Sequence, residues 1–212
     1  MMKAVLHTEA SPAWLTEGPE RSWALLPLGN RPLLEYWLEA CVALGIREVR
    51  LVLGAAAEAV EHYAGDGSRW GIEIRYGFLK EGQAPERFVR RSPAAWADGL
   101  LLVTGACFPR RTGADAGGLA AGTTVCWSER DPGLGFASAD PEALKVFLEG
   151  GAPPQGPEAD GLGFQVVPVD SAETFYRLNM ALVNGEITRY LAPGYSKEEG
   201  AYVGYNVVIP PS

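Results

Sequence analysis

The chain is poor in the residues that build metal cages and cross-links. Its 212 residues include three cysteines, Cys41, Cys107 and Cys126, and two histidines, His7 and His62. No C-x-x-C pair is present, which argues against a Cys/His zinc site, and no metal-ligand set is expected. Each cysteine lies in an apolar setting, as buried thiols of a reducing compartment do. Positive charge is also short: 18 Lys and Arg stand against 26 Asp and Glu, a formal net charge of -8. That balance argues against nucleic acid or an anionic membrane as a partner, although a small nucleotide pocket needs only a few local donors. No uncharged run reaches the roughly 18–20 residues of a membrane span. No signal-peptide pattern is found at the start, and a cytoplasmic protein is expected. One local absence matters most. Between His7 and Glu17 there is no glycine, lysine or arginine.

What is present suits a folded domain. With 47% hydrophobic and 21% charged residues, the chain can bury a core and carry one domain with a small appendage. Lys3 to Leu6 reads as a buried first strand. Arg31 to Leu44 reads as a helix that buries Leu34, Trp37, Leu38, Cys41 and Val42 and turns Glu35 and Glu39 to the other face, with Pro32 in its first turn and Gly45 as its stop. A second buried strand follows at Glu48 to Leu53, a helix at Ala55 to Tyr63, and an alternating strand at Ile72 to Tyr76. After a loop from Gly77 to Pro85 comes a helix from Glu86 to Ala97, then a buried strand from Gly99 to Gly105. Strands alternating with helices at this spacing imply right-handed βαβ units and a mostly parallel sheet covered on both faces, an α/β fold. Further on, the pattern predicts strands at Thr123 to Trp127 and Phe164 to Val169. It also predicts helices at Pro141 to Leu148 and Ala172 to Val183, the last capped by Asp170 or Ser171.

The segment LLPLGNRPLLEYWLEACVALGIREVRLVLG (Leu25 to Gly54) closely resembles the sugar-phosphate nucleotidylyltransferases, or NDP-sugar pyrophosphorylases. Glu58 to Tyr76, with its Gly65-Asp66-Gly67-Ser68 turn, and Val169 to Asn179 are similar to later motifs of that family. The resemblance implies a Rossmann-like, GT-A-like three-layer domain over residues 1–195. Ala201 to Ile209 resembles the first rung of a hexapeptide repeat, so 196–212 is expected to lead into a truncated left-handed β-helix. One rung cannot bury its own faces, so a longer native chain is also expected.

Family enzymes join a sugar 1-phosphate to a nucleoside triphosphate, a reaction carried by positioned donors, a cation and Mg²⁺. Four devices supply them, and none is matched here. In place of the glycine-rich loop with its arginine stand His7, Thr8, Glu9 and the residues up to Trp14. Where the family has a phosphate-contacting lysine the chain has Trp23, with Arg21 two residues away as a partial substitute. Trp23 and Trp14 are expected to fill the volume a triphosphate would occupy. Ala106 and Pro168 stand at the two metal-holding aspartates; a methyl group offers Mg²⁺ no hard oxygen. Asp170, two residues beyond Pro168, is a possible ligand contact or a helix cap. The turn Gly82, Gln83, Ala84 matches the family's base-reading loop and is the candidate nucleotide contact. Arg90-Arg91 and Arg110-Arg111 are further anion candidates.

The resemblance therefore implies a nucleotidyltransferase-like domain with no catalytic residue and no cofactor. It would act as a regulatory or assembly subunit in sugar-nucleotide or polysaccharide metabolism, as a homo-oligomer or with an intact paralogue, with a nucleotide or sugar phosphate as possible ligand. The alternative is an active enzyme with a rebuilt site, holding Mg²⁺ through Glu9, Asp170 or Asp66.

Overall fold

The computed structural model describes residues 1–8, 12, 14–15, 22–54, 56–80, 82–111, 119–126, 135–154, 162–187, 195–198 and 201–204, the last two segments and Cys126 as backbone only. Strand β1 (Lys3–His7) is followed by a 3₁₀ turn (Trp23–Leu25), the two-residue strands β2 (Pro27–Leu28) and β3 (Arg31–Pro32), and helix α1 (Leu33–Ala43). Then come β4 (Glu48–Leu53), α2 (Ala57–Ala64), a 3₁₀ turn (Ser68–Trp70), β5 (Glu73–Phe78), α3 (Glu86–Arg90), a 3₁₀ turn (Pro93–Trp96) and β6 (Leu100–Val103). The rest is β7 (Cys107–Arg111), β8 (Thr124–Cys126), β9 (Gly135–Ser138), α4 (Pro141–Leu148), β10 (Phe164–Pro168), α5 (Ala172–Val183), β11 (Tyr195–Glu198) and β12 (Ala201–Gly204).

Six strands form the main sheet in the order β5-β4-β1-β6-β9-β8. The first four run parallel, and β9 and β8 continue the sheet antiparallel. The central strands bury both faces, which is why they read as continuous apolar runs. Alternation still sorts their side chains. Ala4, Leu6, Val49, Leu51, Leu53, Leu101 and Val103 face one core with Leu34, Trp37, Leu38 and Cys41 of α1. Val5, Val52, Leu100 and Leu102 face another with Val89 of α3, Trp96, and Leu144, Phe147 and Leu148 of α4. The result is a helix–sheet–helix sandwich, the expected α/β architecture.

Several boundaries differ from the sequence pattern, each for a local reason. Arg31 and Pro32 are not helical: they pair with Leu28 and Pro27, and α1 starts at Leu33 with Pro32 as its N-cap. Glu35 and Glu39 do not face solvent. Both are buried, 6% and 2% exposed: Arg31 reaches both, and Tyr63 and Arg69, from elsewhere in the chain, add contacts to Glu35. The helix expected over 86–97 breaks into α3 and the 3₁₀ turn at Pro93, which has no N–H to give and restricts Ser92 before it. Strand β5 runs on to Phe78, two residues into the expected loop. Strands β7 and β9 were not expected at all; both are short and depend on distant partners, β7 pairing with β10 and β9 with β6 and β8. At the end of the chain, β11 and β12 form an antiparallel pair, and residues 205–209 of the expected rung lie outside the described residues. No helix among the described residues is long and apolar enough to cross a membrane.

Candidate functional site

The carboxyl ends of the parallel strands β1, β4, β5 and β6 share one edge of the sheet, where ligands bind in open α/β folds. The loops leaving that edge contain residues 8–22, 54–56, 79–85 and 104–106.

At the end of β1 the backbone is committed to the protein itself. Thr8 is fully buried, and both its amide and its hydroxyl donate to the Val52 carbonyl, at 2.9 and 3.1 Å. The Thr8 carbonyl accepts from the Ser22 hydroxyl at 2.6 Å. Just before it, the His7 carbonyl accepts from Trp23 Nε1 at 2.8 Å, and His7 itself is buried. Glu9 and Arg21 lie outside the described residues.

Trp23 is 0% exposed and belongs to the larger core. Burying an aromatic side chain of roughly 150–250 Å² at about 25 cal/mol per Å² contributes on the order of 4–6 kcal/mol before entropy is counted. Ser22 sets up the turn by capping it, its hydroxyl accepting from the Ala24 amide at 3.2 Å. Trp14 is half-buried; its Nε1 donates to the Val169 carbonyl at 3.0 Å, and its ring lies 5.5 Å from that of Phe175 on α5. The two indoles thus take up backbone carbonyls at the ends of β1 and β10.

The strand pair β7–β10 carries the two candidate metal positions at its end. Pro168 pairs with Cys107, and the Val169 amide donates to the Ala106 carbonyl at 2.8 Å. Ala106 and Pro168 are thus one step apart in register, with side chains on opposite faces of the ladder, and neither carries an oxygen on its side chain. Asp170 is exposed. Its carboxylate accepts from the Thr174 hydroxyl at 3.3 Å, while Ser171 is the N-cap of α5, accepting from the Thr174 amide at 3.1 Å. Asp66 accepts from the Ser68 amide at 2.9 Å, and that bond holds its carboxyl below its ordinary range. Among the described residues no three His, Cys, Asp or Glu side chains gather as a metal cluster.

The remaining candidates scatter. Gly82 and Ala84 are exposed in the loop after β5, Gly82 with φ +74°; the Gln83 side chain accepts from Arg91 at 3.2 Å. Arg90 is structural: it donates to the carbonyls of Phe147 and Gly151 at 3.0 and 2.8 Å and lies over the Phe147 ring. Arg110 is exposed on β7.

Two features at this edge escape sequence reasoning. Thr104, just beyond β6, holds a buried hydroxyl with no hydrogen-bond partner; a threonine beside a strand gives no signal of that. A pocket of about 400 Å³ opens between the 3₁₀ turn and α2, lined by Leu15, Leu25, Leu26, Pro27, Ala56, Ala59 and Ser22. Ala56 adopts φ +57°, the left-handed region that costs a non-glycine residue energy, and gives α2 no side-chain cap. The described lining is apolar, and its one hydroxyl is already bonded to Thr8.

No family model matches the chain. Over 52 residues it is 44% identical to a glucose-1-phosphate thymidylyltransferase of Streptomyces griseus, a stretch that covers 24% of this chain and 15% of that protein. Over 60 residues it is 40% identical to a low-salt glycan biosynthesis nucleotidyltransferase of Haloferax volcanii, covering 28% of this chain and 16% of the relative. Among solved structures, a UDP-glucose pyrophosphorylase in complex with UDP-glucose superposes with a TM-score of 0.56 at 12% identity, covering 87% of this chain and 99% of the other. A nucleotidyl transferase from Methanothermobacter thermautotroptrophicus gives 0.53 at 15% identity, with the same coverage. The chain has the nucleotidyltransferase fold, and about a quarter of it is similar in sequence to sugar-phosphate nucleotidylyltransferases.

Proposed function

We propose that this chain is a nucleotidyltransferase-like domain that does not catalyse nucleotidyl transfer and serves as a regulatory or assembly subunit in sugar-nucleotide or polysaccharide metabolism. One observation supports it above the others. Trp23, where the resemblance sets a phosphate-contacting lysine, is fully buried with its Nε1 on the His7 carbonyl; Trp14 likewise donates to the Val169 carbonyl at the end of β10, and neither Ala106 nor Pro168 carries a side-chain oxygen.

Transfer of a nucleotidyl group needs stabilisation of charge that develops on phosphate oxygens. Removing one such stabilising group typically costs about 2.7–4 kcal/mol of barrier. Here the amides, the cation and both carboxylates are replaced together, although such losses need not add. Any ligand is held by the Gly82–Ala84 turn and by apolar surface, without a metal–triphosphate clamp. Its partners are copies of itself or an intact paralogue, in the cytoplasm.

The test is incubation with each nucleoside triphosphate, Mg²⁺ and a panel of sugar 1-phosphates, with pyrophosphate as the readout. No release above the no-enzyme control is expected. Release at an enzyme-like rate, above about 1 per second, overturns the proposal in favour of an active transferase with a rebuilt site.

A further inference from the structure

A second set of ionisable groups lies away from the strand-end edge, on the flank of α1. Arg31 of β3 reaches both Glu35 and Glu39. Its Nε donates to Glu35 at 2.9 Å, its Nη1 to Glu39 at 3.4 Å, and its Nη2 contacts both carboxylates. Tyr63 of α2 donates its hydroxyl to Glu35, and Arg69 of the Ser68–Trp70 turn pairs with Glu35 at 3.4 Å. Arg69 is itself held over the rings of Tyr63 and Trp70, 5.7 and 5.0 Å from their centres. The 3₁₀ turn Trp23–Leu25 packs on α1 without an ionisable group, and β7 meets α1 through Tyr36–Phe108 and Trp37–Cys107.

Two carboxylates that touch one nitrogen are necessarily close to each other. The Glu39 side chain is 1% exposed and Glu35 8%, so water screens little of their repulsion. Like charges so placed titrate as a pair, and one of them keeps its proton well above the ordinary carboxylate range. The partners decide which. Glu35 has Arg31, Tyr63 and Arg69 in contact and stays ionised; Glu39 is touched by Arg31, feels Arg69 only from a distance, and lies deeper. Desolvation pushes the Glu39 carboxyl up to about 7, against the pull of Arg31. Burial acts on Glu35 too, but its hydrogen bonds from Tyr63 and Arg31 outweigh it and hold that carboxyl low.

Arg31 also belongs to the β2–β3 hairpin, so the state of the pair reaches further. The hairpin is fixed to α1 by the Tyr36 hydroxyl, which donates to the Leu28 carbonyl at 2.9 Å. It is fixed to α5 by the Gly29 amide, which donates to Asn179 Oδ1 at 2.7 Å. Helix α5 carries Phe175 against Trp14 at the strand-end edge.

We infer that Glu35 and Glu39 together hold one proton over Arg31 near neutral pH, and that its gain or loss resets how the β2–β3 hairpin is clamped between α1 and α5. With the proton bound, Arg31 faces one carboxylate. Without it, Arg31 is gripped by two, and the hairpin is drawn toward α1. The device is independent of whether the strand-end site binds a ligand.

Carboxyl carbon shifts of ¹³C-labelled glutamate and the Gly29 amide shift, followed from pH 4 to 9 in the intact chain, test it. Glu39 and Gly29 are expected to titrate with one common midpoint near 7, and Glu39→Gln to leave the Gly29 trace flat. Titration of both carboxylates below pH 5 overturns the proposal. So does a Gly29 trace in the folded Glu39→Gln variant that still follows the wild type. The wild-type titration decides the matter even if the variant does not fold.

Discussion

Replacing Trp23 asks whether the place of the family's lysine is a filled core position or a vacated phosphate site. Its ring is fully buried, and its one N–H serves the His7 carbonyl at 2.8 Å. Trp23→Phe keeps most of the volume but removes the donor, a loss of about 1 kcal/mol, more if no water reaches the carbonyl. Trp23→Ala also opens a cavity, and truncating a buried tryptophan costs about 3–5 kcal/mol. For a chain of this size 1 kcal/mol lowers the melting temperature by about 2–4 °C, so the alanine variant should melt about 6–20 °C lower. Trp23→Lys is the most pointed of the three. It restores the family's residue type, yet at this position it puts an unpaired ammonium where water does not reach, and it should be at least as destabilising as alanine. The assay is reversible urea unfolding followed by circular dichroism. A Trp23→Lys variant as stable as wild type, or one gaining affinity for inorganic triphosphate, would refute the reasoning, because it would mean that the cation's place is still open.

Three further outcomes follow from the packing and the charges. Gly135→Ala should cost more than 3 kcal/mol or prevent folding: its φ is +123° and an added Cβ would sit 1.8 Å from the Leu102 carbonyl oxygen inside the main sheet; urea unfolding measures it. Asn179→Ala should cost about 1–3 kcal/mol by leaving the Gly29 amide without its acceptor, and should speed hydrogen exchange at Gly29. Glu39 makes stability fall as pH rises, because a group held above its unfolded value of 4.5, up to about 7, binds a proton in the folded state that the unfolded chain has released. Its contribution is complete below 4.5 and gone above about 7, with a slope of at most about 1.4 kcal/mol per pH unit between. Glu35, Glu48, Asp66 and Asp98 are held low and act only below that window. Urea midpoints of wild type should therefore fall relative to those of Glu39→Gln between pH 5 and 7.5, because glutamine stands in for the protonated carboxyl and does not ionise; parallel curves would contradict the assignment.

Much of the fold is legible where local signals agree. Strands β1, β4 and β6 are buried on both faces and read as plain apolar runs. Helices α4 and α5 were placed residue for residue, because Asp140 and Ser171 mark their starts and glycines follow their ends. What the sequence hides is set by distant contacts. Strand β10 is legible as the strand expected at Phe164 to Val169, whereas β7, which contains Pro109, does not look like a strand until it pairs with β10. Glu35 and Glu39 look like a solvated helix face until Arg31 reaches both and Tyr63 and Arg69 close on Glu35. The site divides in the same way. The positions at which the resemblance would set a lysine and two aspartates are visible one at a time in the sequence. That β10 pairs with β7, and that two indole N–H groups take carbonyls at the strand ends, depends on the folded chain. The apolar pocket beside Ala56 and the unpartnered hydroxyl of Thr104 leave no trace in the sequence pattern.

The central claim is that the frame lacks a place for a metal-bound triphosphate, and calorimetric titration with each nucleoside triphosphate, with and without Mg²⁺, tests it most directly. With no pair of carboxylates at Ala106 and Pro168, Mg²⁺ should leave any nucleotide affinity unchanged within about twofold, a difference of roughly 0.4 kcal/mol. Tightening by tenfold or more on adding Mg²⁺ would show that the chain still holds the metal, and would contradict the account.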